Sequence, residues 1–466
     1  MKFLEAIRNI FRVPDLRKRI LFTLALLAVF RLGSHIPTPG INTEALAQLF
    51  EQYQGTWLGL FNIFSGGSFA RMSIFALGIM PYITASIILQ LMTVVWPYLE
   101  RLQKEGELGR RKITQYTRYL TVFLAAFQAL MIAVTLMRQS VVGNVPLVTS
   151  PGMGFLLMTV LTLTAGTIFI MWLGEQISDR GIGNGMSLII FAGIVVGLPR
   201  AISEIYSKGF ETGEWQLHHL LALVVLMVAV VAIIVLVESA QRRIPVQYAR
   251  RVVGRKMVGG AMTYLPVRVN TGGVIPVIFA SSVLAFPQTI GAVLPQNRYV
   301  RDFTQMLAWG EPLYTALYIA AIIFFSYFYV SIIFNPDELA DNMRKWGGFV
   351  PGIRPGRNTS EYVNTILTRV TFVGGLYLAL ISIIPEWMIS GIHLHHLPTW
   401  MGGQFIDATF PRWLLEGLGV NFYFGGTSLL IVVGVAMDTV NQIEAQLTMR
   451  HYEGFTTRGR IRGRRS

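Results

Sequence analysis

His393, His395 and His396 fall almost side by side, and histidines this close are metal-ligand candidates. No carboxylate or cysteine set lies beside them to complete a coordination shell, so they read as solvated loop histidines. Cysteine is absent from the 466 residues, which excludes disulfide staples and thiol-ligated metals. Gly181-Ile182-Gly183-Asn184-Gly185 has the glycine content of a phosphate loop, but it joins two apolar stretches and follows no strand, so it lacks the setting of a nucleotide site. No G-x-x-x-x-G-K-[ST] loop, H-E-x-x-H pair or G-x-S-x-G elbow occurs. The chain reads as a non-enzyme without cofactors.

Transport chemistry is the next possibility. An ion-coupled transporter needs ionisable groups inside its membrane spans, where they carry the proton or hold the ion. Arg31, Glu238 and Asp438 lie instead toward the ends of apolar stretches, where pairing or snorkelling explains them. Aliphatic residues occupy the central positions: Ile79 and Ile83, Ile190, Ile275 and Ile278, and Ile431. Singly, an isoleucine there is core or lipid-facing. Their setting is what sets four of them apart. Gly78-Ile79-Met80-Pro81-Tyr82-Ile83-Thr84-Ala85-Ser86 and Gly273-Val274-Ile275-Pro276-Val277-Ile278-Phe279-Ala280-Ser281 share the pattern G-x-x-P-x-I-x-A-S. Each copy places a proline early in an apolar segment, inside an expected spanning helix, where the lost donor must be tolerated by protein or a cavity.

The elements around these residues follow from composition. With 53% hydrophobic and only 14% charged residues, the chain reads as a polytopic membrane protein rather than a globular domain. A span needs roughly 20 apolar residues, and ten windows qualify: 20–36, 73–95, 117–137, 154–173, 186–199, 218–237, 272–290, 313–334, 365–385 and 423–441. The first follows Arg17-Lys18-Arg19 but lacks a clean small-residue cleavage site, so it reads as an anchored helix and not a signal peptide. The net charge of +14 is distributed one-sidedly. All of the 39 Lys and Arg except Arg31, Arg71, Arg138, Arg200, Lys208, Arg298, Arg301 and Arg412 fall on alternate loops and the two termini. That bias marks the cytoplasmic side and predicts cytoplasmic N- and C-termini.

Spans 1–5 and 6–10 then form halves of five. An odd number inverts the second half, and the proline motif falls in the second span of each. The expected fold is an all-α polytopic protein of ten transmembrane helices in two inverted-topology halves. Its divisions are an amphipathic arm at 1–19, halves at 20–199 and 200–441, and a basic tail at 442–466.

Three stretches do not fit simple spans. Residues about 57–72 are apolar, then glycine-rich, and too short to cross; they suit a re-entrant segment or an interfacial loop helix. The basic loops at about 239–270 and 335–364 are longer than topology requires. The second carries Gly352-Ile353-Arg354-Pro355-Gly356, and such tips suit rigid docking of an acidic or nucleic-acid partner.

Several motifs together resemble the SecY family, the pore subunits of the bacterial Sec translocon. They are Leu60-Phe61-Asn62-Ile63-Phe64-Ser65-Gly66-Gly67 running into Ile74–Tyr82, Asp179–Gly185, Gly273-Val274-Ile275-Pro276, Phe349–Gly356 and Gly425–Ile431. The resemblance implies an hourglass pore between the halves that also opens sideways into lipid. Its constriction would be Ile79, Ile83, Met186, Ile190, Ile275, Ile278 and Ile431. Met186 departs from the usual aliphatic choice, though a thioether still fills such a gap. Phe61, Asn62, Ile63, Phe64, Ser65, Gly66, Gly67, Ser68 and Arg71 would form a short re-entrant plug helix. Thr84, Gln90, Ser281, Ser282 and Phe286 would face a lateral gate. Arg242, Arg243, Arg250, Arg251, Arg255, Lys256 and Arg354 would dock the SecA motor or ribosomal RNA. The family further implies SecE and SecG as companion subunits, signal-sequence-bearing polypeptides as substrates, and the bacterial inner membrane as location. The arginine-rich tail after Arg458 is expected to bind anionic lipid. A coupled transporter on inverted repeats is the alternative, disfavoured by the aliphatic mid-membrane positions.

Overall fold

The structure, a computed structural model, describes residues 13–43, 45–46, 62, 65–138, 141–142, 145–207, 217–248, 251–253, 256–258, 262–293, 306–307, 311–390 and 426–457. The chain divides into two compact units. One comprises residues 1–202, 292–295 and 435–466; the other comprises 203–291 and 296–434.

In the first unit, α1 (Pro14–Gly33) opens with proline and Asp15 in its first turn, which suits an N-terminus with free N–H groups. Helix α2 (Met80–Val95) turns through 99° into α3 (Pro97–Lys104). Pro97 holds Trp96 in an extended conformation that no helix continues through. Buried Leu99 and Leu102 give α3 its packed face. On the exposed face Lys104 Nζ lies 2.6 Å from Glu100 Oε1 and holds that carboxyl below its ordinary range. Helix α4 (Glu107–Arg138) leads through strands β1 (Val141–Val142) and β2 (Val145–Pro146) to α5 (Met153–Arg180). Arg118 on α4 donates to Glu175 on α5 at 2.8 Å. Helices α6 (Gly185–Val196) and α7 (Leu198–Tyr206) follow. The core runs from Leu46, Phe69, Met72 and Leu77 through Ala125, Ala129 and Ala133 of α4 to Leu163 of α5. The alanines recur every four residues, so one face of α4 is smooth enough for close approach.

In the second unit, α8 (Leu217–Ser239) leads into β3 (Gln241–Tyr248), the hairpin β4 (Arg251–Val253) and β5 (Lys256–Val258), and β6 (Met262–Arg268). Then come α9 (Ile275–Val293), α10 (Pro312–Ile333), α11 (Pro336–Lys345), β7 (Gly348–Phe349) and α12 (Arg357–Ser390). Helix α13 (Gly426–Thr457) begins in this unit and ends in the first. Strand β3 pairs antiparallel with β6 along its length and with β7 at its end, giving the order β6-β3-β7.

A helix overlies each of the ten apolar windows. Among the described residues, five helices are by themselves long and apolar enough to cross a membrane, or six with the bent pair α2–α3. The expected all-α architecture needs correction. The long loop after α8 is a β-hairpin, because Ile244, Val246 and Val267 alternate with exposed residues and bury one face. The 186–199 window is also two helices, α6 and α7, which meet at Gly197.

Candidate functional site

The two motif copies adopt one local conformation. Gly78 has φ +56 and donates its N–H to Phe75 O at 2.9 Å; Gly273 has φ +57 and donates to Asn270 O at 3.4 Å. This left-handed geometry requires glycine. Two residues later each helix starts, α2 at Met80 and α9 at Ile275, with Pro81 and Pro276 in the first turn. The prolines therefore begin the helices and do not kink them: at the first turn their missing N–H has no intrahelical partner to lose. The first bond of each helix also corresponds, from Ile83 N to Ile79 O at 3.1 Å and from Ile278 N to Val274 O at 3.3 Å. Ile79, Ile83 and Ile190 are buried in the first unit, where Met186 is half-buried; Ile278 and Ile431 are buried in the second, where Ile275 is half-buried.

The second span starts at Met80, not at 73, because residues 65–79 are turns, with Ser73 bridged to Pro37, rather than helix. Of the expected plug helix, Asn62 is helical and 65–72 are turns, while Phe61, Ile63 and Phe64 lie outside the described residues. The turns are satisfied within the protein. Asn62 O accepts from Gly67 N at 2.8 Å, and Asn62 Oδ1 accepts from Ala70 N at 2.9 Å. Ser65 Oγ donates to Asn62 O and accepts from Phe69 N. Arg31 of α1 reaches in, its Nη1 donating to Gly66 O at 2.9 Å and to Ser34 Oγ at 3.2 Å. Gly66 abuts Gly193 of α6 so closely that a Cβ on it would sit 2.8 Å from the Gly193 Cα. Ser68 is buried, its hydroxyl without a partner among the described residues, and Arg71 is exposed.

The polar residues expected at a gate bond within their own helices. Thr84 donates to Met80 O at 3.0 Å, Ser281 to Ile278 O at 3.0 Å and Ser282 to Ile278 O at 2.7 Å. Gln90 donates to Ser86 Oγ at 3.3 Å, and its Oε1 has no partner among the described residues. The Phe286 side chain lies outside the described residues.

The glycine run 181–185 serves packing. A Cβ at Gly185 would meet Gly174 O at 1.9 Å, so α6 can follow α5 only without a side chain there. Thr23 Oγ1 of α1 accepts from Ile182 N at 3.1 Å, Gln442 Oε1 from Gly183 N at 3.0 Å, and Asn184 Oδ1 caps α6 through Met186 N. The backbone N–H groups of Ile182, Gly183, Gly185 and Met186 are thus all taken up by protein oxygens.

The two basic loops share one small core. Ile244, Val246 and Val267 of the hairpin pack with Met343, Val350, Val363 and Leu367, and Ile353 joins its edge. Asn335 Oδ1 caps α11 through Asp337 N and Glu338 N, and Ser360 donates to Asp337 at the start of α12. Arg354 follows the anchored Ile353 and is exposed between Gly352 (φ +83) and Gly356 (φ +104); its carbonyl accepts from Thr359 Oγ1 at 3.0 Å. A cation is thus presented on a fixed backbone. Arg242 and Arg243 are exposed on β3. Arg251 and Lys256 belong to β4 and β5, while Arg250, Arg255, the three histidines and the tail after 457 lie outside the described residues.

Sequence reasoning missed one polar pair. Glu238 Oε1 accepts from Asn270 Nδ2 at 2.6 Å, and the same amide donates to Gly273 O at 3.1 Å, pinning the second motif turn. The signal is a carboxylate, Glu238, at the end of an apolar helix, with an asparagine three residues before the motif glycine.

Residues 73–440 match the sequence profile of the SecY family. The chain is 47% identical over 461 residues to the protein translocase subunit SecY of Streptomyces galbus, covering 97% of this chain and 99% of that protein. It is 47% identical over 452 residues to the protein translocase subunit SecY of Escherichia coli K12, covering 96% of each. In backbone it is similar to a protein-conducting channel, with TM-score 0.57 at 16% identity over 92% of this chain and 91% of the other. It is also similar to Sec61 from a canine ribosome-channel complex, with TM-score 0.53 at 16% identity over the same shares.

Proposed function

The chain belongs to the SecY family, a multi-span membrane family of channel subunits and not of enzymes, and we propose that it passes unfolded secretory polypeptides across the bacterial inner membrane and releases transmembrane segments sideways into lipid. Ten spans in two inverted halves, with both termini cytoplasmic, carry the pore. The observation that supports this reading best is the motif turn repeated in the two units. Left-handed glycine, proline-led helix and first-turn isoleucine recur with matching dihedral angles and bonds. Ile79, Ile83, Met186, Ile190, Ile275, Ile278 and Ile431 form the constriction. An aliphatic ring offers a passing chain no hydrogen bond to hold it and, when narrow, dewets and blocks ions.

The segment Phe61–Arg71 is the plug of the idle channel, and Thr84, Gln90, Ser281, Ser282 and Phe286 border the lateral gate. Because the three hydroxyls bond their own backbones, the gate costs little polar desolvation to part. The hairpin and Arg354 tip dock a SecA-type motor or ribosomal RNA, to which a guanidinium on a fixed loop binds bidentately. SecE and SecG are companion subunits. The absence of cysteine makes the test clean: a single cysteine at Ile83 should form a disulfide with one placed in a stalled secretory chain. No cross-link at any register of the stalled chain would sink the pore assignment.

A further inference from the structure

The segment 62–79 has a fixed end and a releasable end. At the fixed end Phe75 stacks between Phe30 of α1 and Phe169 of α5, with ring centroids 5.9 and 6.0 Å away. Two glycines form the notch it sits in. A Cβ on Gly33 would overlap the Phe75 ring at 2.1 Å, and one on Gly166 would meet Ile74 O at 1.9 Å. Ile74 N also donates to Ile36 O at 3.0 Å. Nothing here moves without separating α1 from α5. At the other end, Gly66 is held by the Arg31 bond and by contact with Gly193, both of which detach by simple withdrawal. The hydrogen bonds among Asn62, Ser65, Gly67, Phe69 and Ala70 are internal and travel with the segment, while displacement breaks the bond from Ser73 N to Ser68 O at 2.9 Å and draws Phe69 from the core.

Between the two ends stands Met72, at φ +43, the one positive-φ residue other than glycine among the described residues. Its side chain is buried and its carbonyl accepts from Thr38 N at 2.8 Å. A methionine gains nothing from this conformation that glycine would not give more cheaply, so the backbone there stores strain. We propose that Met72 is the sprung hinge of the plug: displacement of residues 62–71 pivots at Met72 against the clamped Ile74–Phe75, and release of its left-handed backbone favours the displaced state. This rests on the plug reading above and adds where the segment turns and what biases it.

The test reads the plug with a single cysteine at Ser68, which is fully buried and whose hydroxyl has no partner to lose among the described residues. In full-length chain in proteoliposomes, the labelling rate of Ser68→Cys by a soluble maleimide reports the displaced fraction. An arrested secretory chain should raise that rate; if it does not, the plug reading fails and the hinge with it. Given that rise, Met72→Ala and Met72→Gly are compared in idle channels. Both lose the same buried side chain, but only glycine relieves the strain. The glycine variant should label about tenfold more slowly than the alanine variant, equivalent to ~1.4 kcal/mol. Met72→Asn, which tolerates the left-handed region, should fall on the glycine side. Equal rates for the alanine and glycine variants overturn the hinge and leave the plug reading standing.

Discussion

Gly66→Ala adds one methyl group at the tightest contact of the plug segment. The new Cβ would lie 2.8 Å from the Gly193 Cα and 3.2 Å from its carbonyl oxygen, where carbon atoms prefer about 3.5–4.0 Å. The obstacle is the backbone of α6, so no side chain can swing aside. Overpacking of this kind costs ~1–3 kcal/mol, and the seated plug bears all of it because withdrawal removes the contact. The displaced-to-seated ratio should rise about 5- to 150-fold. Gly67→Ala is the control. Gly67 also has a left-handed backbone, φ +81, but a Cβ there meets nothing within 4 Å. Ion conductance of idle channels in planar bilayers should rise markedly for Gly66→Ala and far less for Gly67→Ala. Equal conductance for the two would refute the claim that contact with Gly193 seats the plug.

Arg354→Glu should abolish motor- or ribosome-driven translocation while leaving membrane insertion and idle conductance unchanged, and Arg354→Lys should retain part of the activity because it keeps charge but not the bidentate fork; translocation of a preprotein into vesicles measures both. Gly78→Ala and Gly273→Ala should each lower thermal stability by a similar ~1–2 kcal/mol, since φ is +56 and +57 and neither Cβ meets an atom closer than 3.6 Å. Thermal unfolding of detergent-solubilised protein tests that equality. Lys104 lowers the pKa of Glu100, so their bond supports α3 above the ordinary carboxylate range and is lost as pH falls through the lowered value. Amide exchange in 97–104, corrected for the intrinsic pH dependence, should gain protection with rising pH in the native chain and lose that dependence in Glu100→Gln.

Much of the frame was legible because membrane spans announce themselves by composition, and a helix overlies every apolar window. What hydropathy cannot distinguish is apolar helix from apolar turn. Residues 73–79 are as hydrophobic as the helix they precede, yet they are turns, and the cue was Gly78 three residues before Pro81. Pro81 therefore marks the start of the helix and not its interior. The sheet has only a short period-two signal, Ile244 and Val246 on either side of Pro245, within a loop whose arginines make charge its dominant feature. That the two basic loops share a core depends on contacts between residues a hundred positions apart, such as Gln247 paired with Phe349, for which one sequence holds no local signal.

The repeated motif shows where symmetry stops. Both turns close the same bond and begin helices the same way, but they are held by unlike chemistry. The first is wedged by aromatic stacking and two glycine notches; the second is pinned by Glu238 through Asn270 to Gly273 O. The chain entering each turn accounts for the difference. The first follows a segment bonded largely to itself and also to Arg31 and Thr38, so its base is set by packing against two helices. The second follows β6, already tied by seven paired residues to β3 and by Val269 N to Ala240 O at 3.0 Å. With its approach fixed by the sheet, that turn needs only one directional bond to set its carbonyl. A pair of like turns is thus held by packing in one unit and by a single directional bond beside the sheet in the other.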